Sequence, residues 1–211
     1  MEIPQKAKEY FEKARQLAQN GQDQAAIESY EAAAQLAPDW PDPLFEMAFQ
    51  YLLLQAFEKA LHYYLKVDAL KKDGFYNTKT AIWGLEKEQS GVFPSGLYLA
   101  YAQTEWLKDT ARNLEILEEI VDRFPDYAPA WKALSDQLEQ PEGRMEVIKY
   151  GLECSDIDAE TKGGLLINKA LVTQLLGDRE YAKSQLQAFL SQASTSSKHK
   201  LAKFVLESME D

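Results

Sequence analysis

Residues able to do covalent or metal chemistry are few in this chain, and they are scattered. There are two histidines, His62 and His199, and one cysteine, Cys154. A structural zinc site needs about four converging ligands. Neither histidine stands beside a cysteine or in a HExxH-like pattern, so no metal site is expected. The phosphate-cradling pattern GxxxxGKS is absent, and Gly163 and Gly164 fall at a predicted helix start instead. There is no GxSxG elbow. Glu115, Glu118, Glu119 and Asp122 form the densest acidic group, but they lie on a strongly amphipathic stretch and read as its solvated face. Paired acid catalysis needs two carboxyls held across a pocket with shifted pKa values, and nothing in the pattern provides that. The sequence implies no enzyme and no cofactor. The chemistry left is recognition of another molecule.

Recognition needs a scaffold, and the scaffold is legible from Gly21 to Trp40. Gly21 begins a tight turn, and Ala26, Tyr30 and Ala33 then recur at helical spacing on one face. The two alanines let a neighbouring helix approach closely, and Tyr30 fills the volume between them. Pro38 ends the helix. Ala7 to Trp40 makes a unit of roughly 34 residues. A second copy runs over 41–74, with Ala60, Leu61, Tyr64 and Val67 in the places of Ala26, Ile27, Tyr30 and Ala33. Gln55 replaces its turn glycine, and Lys72 stands in the slot of its proline. Later copies cover 94–127, with the exit turn FPDYAPAW, then 128–161 and 163–196.

This pattern resembles the tetratricopeptide (TPR) family over most of the chain. The resemblance implies an all-α fold: a right-handed superhelix of antiparallel helix pairs, a TPR-like α-solenoid of about eleven or twelve helices. The whole chain, 1–211, then reads as a single solenoid. Residues 75–93 break the period, and two accounts fit: one extra helix between repeats, or a short pair made by 75–90 and 94–106. The first is preferred because Pro94 to Pro125 keeps the period. Residues 197–211 read as a capping helix, apolar towards the stack through Leu201, Phe204, Val205 and Met209. SQASTSSKH before it is a Ser/Thr-rich break. Trp106 and Trp131 are expected to pack, and Cys154 to be a buried, inert thiol in a helix.

With 45% hydrophobic residues and a formal net charge of -11, the chain has apolar material for a sizeable folded body. That charge argues against a nucleic-acid partner and against anionic membranes. It favours basic partners. From Glu105 to Glu160 there are 15 acids and 6 Lys or Arg, so the excess is concentrated there. The N-terminal stretch is amphipathic and charged, unlike a signal peptide, and no apolar run is long enough to span a bilayer. These features predict a cytoplasmic protein.

In the TPR family the first helix of each unit lines an inner surface that binds a peptide or helix. The resemblance places Phe11, Arg15, Gln19, Phe45, Glu46, Phe49 and Leu52 there, with Lys79 and Trp83 from the odd helix. Some TPR proteins hold a chaperone's C-terminal carboxylate with Lys, Asn and Asn. Phe11, Arg15 and Glu46 stand at those positions, which argues against that ligand. The expected role is a non-catalytic adaptor that binds a basic or apolar protein segment. The alternatives are a self-association module forming a homo-oligomer, a chaperone-like binder of apolar segments, and an enzyme or small-ligand binder around 75–106.

Overall fold

The computed structural model describes residues 2–72, 74–192 and 197–209. Residues 193–196 of the Ser/Thr-rich break and 210–211 of the expected capping helix lie outside the described residues. The described residues form twelve α-helices and no strand. This is the all-α arrangement of packed antiparallel pairs that the helical periodicity predicts. The chain divides into two compact units, Met1–Ser90 and Gly91–Asp211.

The first unit holds α1 (Gln5–Gln19), α2 (Asp23–Leu36), α3 (Pro41–Leu53), α4 (Phe57–Leu70) and α5 (Thr78–Gln89). Consecutive helices pack on one another, most closely α1 with α2 and α3 with α4. The α1–α2 turn is closed by Gly21 at φ +70°, with Gln22 N donating to the Leu17 carbonyl at 2.9 Å. The α3–α4 turn has the same form: Gln55 sits at φ +56°, and Ala56 N donates to the Tyr51 carbonyl at 2.9 Å. Helix α3 begins at Pro41, where a missing N–H costs nothing. Asp42 lies inside the first turn, facing the positive end of the helix dipole. The core is Ala14, Ala26, Ile27, Tyr30 and Met47, with Phe11, Leu17 and Tyr51 packed against it. The small alanines seat α1 on α2 at short range, and Tyr30 occupies the space they leave.

The second unit holds α6 (Leu97–Gln103), α7 (Thr110–Arg123), α8 (Ala128–Gln137), α9 (Pro141–Glu153), α10 (Ala159–Leu175), α11 (Arg179–Leu190) and α12 (Lys198–Ser208). Helix α6 is shorter than the 94–106 span that periodicity suggests. Gly96 precedes it in the left-handed region, and after Gln103 the chain tightens into bonds of the i to i+3 type. The Thr104 hydroxyl donates to the Tyr101 carbonyl at 2.7 Å, a local bond that competes with helix continuation. Asp109 then caps α7 by accepting from Arg112 N at 3.1 Å.

Helices α8 with α9 and α10 with α11 pack most closely, while α10 also lies against α8 and α12. Two glycines permit this. A Cβ on Gly151 would lie 2.9 Å from the Trp131 Cβ, and one on Gly163 would lie 2.8 Å from the Lys198 Cβ. The core joining α10, α11 and α12 contains Ile167, Ala182, Leu186, Phe189, Ala202, Val205 and Met209.

Three expectations are corrected. Of the four apolar residues expected to turn the capping helix towards the stack, Val205 and Met209 are buried, but Leu201 and Phe204 are 46% and 67% exposed, because they lie on the opposite side of α12. Trp106 is 42% exposed, because it follows the early end of α6 and has left the packed face. Cys154 is only partly buried and terminates α9, its Sγ 3.5 Å from the Tyr150 carbonyl.

Candidate interaction face

The residues expected on an inner surface all lie in the first unit, on α1, α3 and α5. Phe11 is half-buried between Tyr30 and Trp40, at centroid distances of 5.5 and 4.8 Å. It therefore serves the core and the surface together. Arg15 stands one helical turn further along α1, exposed, 3.5 Å from Glu12. Glu46 of α3 is half-buried. Burial pushes its carboxyl above the usual range, Arg15 pulls it back, and Asp42 one turn earlier pushes it up again. Burial also raises the Tyr30 phenol, and the charges it feels are Glu46, Arg15 and Glu12. Tyr30 thus sits at the meeting point of α1 and α3, where Phe11, Arg15 and Glu46 come together.

Phe45 belongs to a neighbouring group. Its ring meets Tyr64 edge-on at 5.8 Å, Phe75 at 5.7 Å and Tyr76 at 5.1 Å. Tyr76 is 67% exposed, and its φ of +47° is a conformation L-residues rarely adopt. Phe49 is half-buried one turn beyond Phe45, and Gln19 is exposed at the end of α1. Trp83 is half-buried on α5. Lys79 is tied to Asp68 of α4 at 2.7 Å, so it joins α5 to α4. Leu52 is fully buried and presents no surface to a ligand. The helix stripe that faces a neighbour is one residue away from the stripe that faces outward, and Leu52 falls on the former.

Sequence reading missed Phe75 and Tyr76, which lie in a loop where no periodicity operates. It also missed a polar row in the second unit. There Asn168 Nδ2 donates to Ser135 Oγ and to Asp136 Oδ1, both at 2.7 Å, and Lys132 pairs with Asp136 at 2.6 Å. The helical register could have placed Lys132 and Asp136 together, four residues apart, but not Asn168 opposite them.

Among the described residues, no group of three or more His, Cys, Asp or Glu side chains is placed to hold a metal ion. Nor is any helix among them long and apolar enough to cross a membrane.

No family model matches the chain, and no curated protein does. Solved structures do match. MamA from residue 41 to its end, from Desulfovibrio magneticus RS-1, is 18% identical over 89% of this chain and 94% of that one, with a TM-score of 0.42. A thermophilic TPR protein of Thermus thermophilus is 17% identical over 97% and 98%, with a TM-score of 0.42. A tetratricopeptide repeat protein of Parabacteroides merdae ATCC 43184 is 13% identical over 96% and 70%, with a TM-score of 0.43. The described residues themselves show consecutive helices packed in pairs, with the same turn recurring between α1 and α2 and between α3 and α4. The α1–α3 face offers aromatic rings, one guanidinium and one half-buried carboxylate.

Proposed function

We propose that this TPR-like chain is a non-catalytic interaction scaffold, taking a peptide or helical segment of a protein partner on the α1–α3 face of its first unit. What supports this reading is the set of half-buried rings Phe11 on α1 and Phe45 and Phe49 on α3, Phe11 and Phe45 held by ring contacts, with Arg15 and Glu46 on the same two helices. Rings held in place lose little freedom on binding, so each contact contributes more of its gross energy. Half-buried aromatics are the side chains most often found as binding anchors. Glu46 already carries a desolvated carboxyl offset by Arg15, which favours a segment with a basic group among apolar ones.

The partner class follows from charge. A net charge of -11 repels nucleic acid and anionic membranes and attracts basic protein surfaces. This reading places the protein in the cytoplasm. The test is a pull-down from native extract comparing the parent with Phe45→Ala plus Phe49→Ala. A partner retained by the parent and lost by the variant, with helicity and melting unchanged, is the expected result. Retention of every partner removes this face from consideration.

A further inference from the structure

Two outward faces of the second unit match each other and have no role in the reading above. The first is a groove of about 510 Å³ along α9. Met145, Tyr150 and Leu176 make its apolar floor, and Glu142, Glu146 and Glu153 its rim, with Lys149 the one cation of its lining. Tyr150 and Leu176 are 46% and 48% exposed. The Tyr150 phenol donates to Glu146 at 3.2 Å, and its ring lies 5.1 Å from Trp131, so the floor is already held in place.

The second face is on α12. Ala202, Val205 and Met209 are buried in the core with α10 and α11, which turns Leu201 and Phe204 away from it. These two are 46% and 67% exposed and stand one turn apart. Lys200 and Lys203 flank them; the third lysine of α12, Lys198, lies 3.8 Å from the buried Glu160 carboxylate, and the helix has one acid, Glu207. Lys203 reaches Glu207 only at 3.9 Å, with both side chains well exposed, a pair worth little in water.

We propose that copies of this chain associate head to tail, with the basic, apolar face of α12 on one copy seated in the acidic, apolar groove of α9 on the next. The occupant is a second copy because one chain carries both halves: opposite in sign, each with exposed apolar residues, in a protein whose charge is otherwise strongly negative. Such a contact joins unlike surfaces, so it builds rings or open chains instead of a closed symmetric pair.

The test is sedimentation velocity of the full chain across concentration, with Phe204→Glu to spoil the helix face and Leu176→Glu to spoil the groove. Both sites are exposed, and unchanged helicity and melting verify the fold. The parent should grow in mass with concentration, less so at raised salt. Each variant alone should associate about tenfold or more weakly. Mixed in equal amounts, the two variants should form dimers and stop there, since each retains one live half. Lys203→Glu and Glu146→Lys give a second check: each should weaken association, and together on one chain they should recover it. A parent monomeric at every concentration overturns the proposal. So does a Leu176→Glu variant that associates like the parent, a mixture that stays monomeric, or a double charge reversal that adds losses instead of recovering.

Discussion

The buried carboxylate of Glu160 receives both the backbone N–H and the hydroxyl of Ser197, at 2.8 and 2.6 Å. This ties the start of α12 to the first turn of α10. At the other end of α12, Arg179 of α11 donates from Nε to the Met209 carbonyl at 2.8 Å. An acid therefore meets the positive end of the helix and a base the negative end, the arrangement the helix dipole favours.

Glu160→Ala should loosen α12 before anything else. It strands a partly buried N–H and removes two charge-assisted bonds, a loss of about 2–3 kcal/mol. Arg179→Ala should cost about 1 kcal/mol, because Arg179 is exposed and water can replace it. Hydrogen exchange is the discriminating measurement. Amide protection should fall across α12 in Glu160→Ala while α8 and α9 keep theirs. Equal loss across the whole unit would show that Glu160 serves global stability and not the docking of one helix.

Gly163→Ala should destabilise by about 1–3 kcal/mol, as overpacking does. The new methyl would sit 2.8 Å from the Lys198 Cβ, an atom fixed to the α12 backbone, and 3.2 Å from the Cζ of Phe189, a ring held in the core. Gly143→Ala is the control. Its methyl would meet only the Leu138 Cδ1 at 3.9 Å, so helix propensity should stabilise it by up to about 1 kcal/mol. Urea denaturation of the two variants should move in opposite directions.

The same contrast between close approach and open space explains how much was legible in the sequence. Ala26, Tyr30 and Ala33 announced a buried stripe by spacing and size, and all three are buried. Their counterparts Ala60, Tyr64 and Val67 are buried too. Periodicity reports apolar packing well because packing repeats. It is silent where one polar contact decides. The start of α12 depends on Ser197 meeting Glu160, 37 residues away, and the early end of α6 on one threonine hydroxyl. On the proposed face, Phe11 packs on Tyr30, and the Glu46 carboxyl feels the Arg15 charge. Leu52, on the same helix as Glu46, is fully buried. Tyr76 was invisible, since its exposure follows from a backbone angle that no residue pattern signals.

Cys154 should react slowly with thiol reagents at neutral pH. Burial, followed by the nearby Asp126 charge, pushes its thiol up to about 11. The thiolate is the reactive form, so only a trace is present at pH 7. The modification rate should climb through pH 9 to 10 and level off only near 11. The linkage has a definite sign. The folded state holds the proton more tightly than the unfolded chain, whose thiol titrates near about 8.5. The associated stabilisation is complete below that pH and is lost as pH rises towards 11. A modification rate already level at pH 8 would contradict the placement of the sulfur against the Tyr150 carbonyl and beside Asp126.

Gln55 offers the sharpest check on the repeat itself. It lies 34 positions after Gly21 and closes the α3–α4 turn as Gly21 closes the α1–α2 turn. Gly177 closes the α10–α11 turn in the same way, at φ +96°, with Asp178 N donating to the Thr173 carbonyl at 3.1 Å. A non-glycine residue in this left-handed conformation costs about 1–2 kcal/mol. Glycine avoids that cost but gives the unfolded chain more freedom, which returns about 0.5–1 kcal/mol. Gln55→Gly should therefore be a net gain of up to about 1 kcal/mol. Gly21→Ala should lose about 1 kcal/mol, although open space surrounds its Cβ position, because the penalty lies in the backbone angle alone. Thermal melts of both variants decide the matter. If Gln55→Gly melts below the parent, the glutamine side chain holds the turn by a contact of its own, and the two turns are not equivalent.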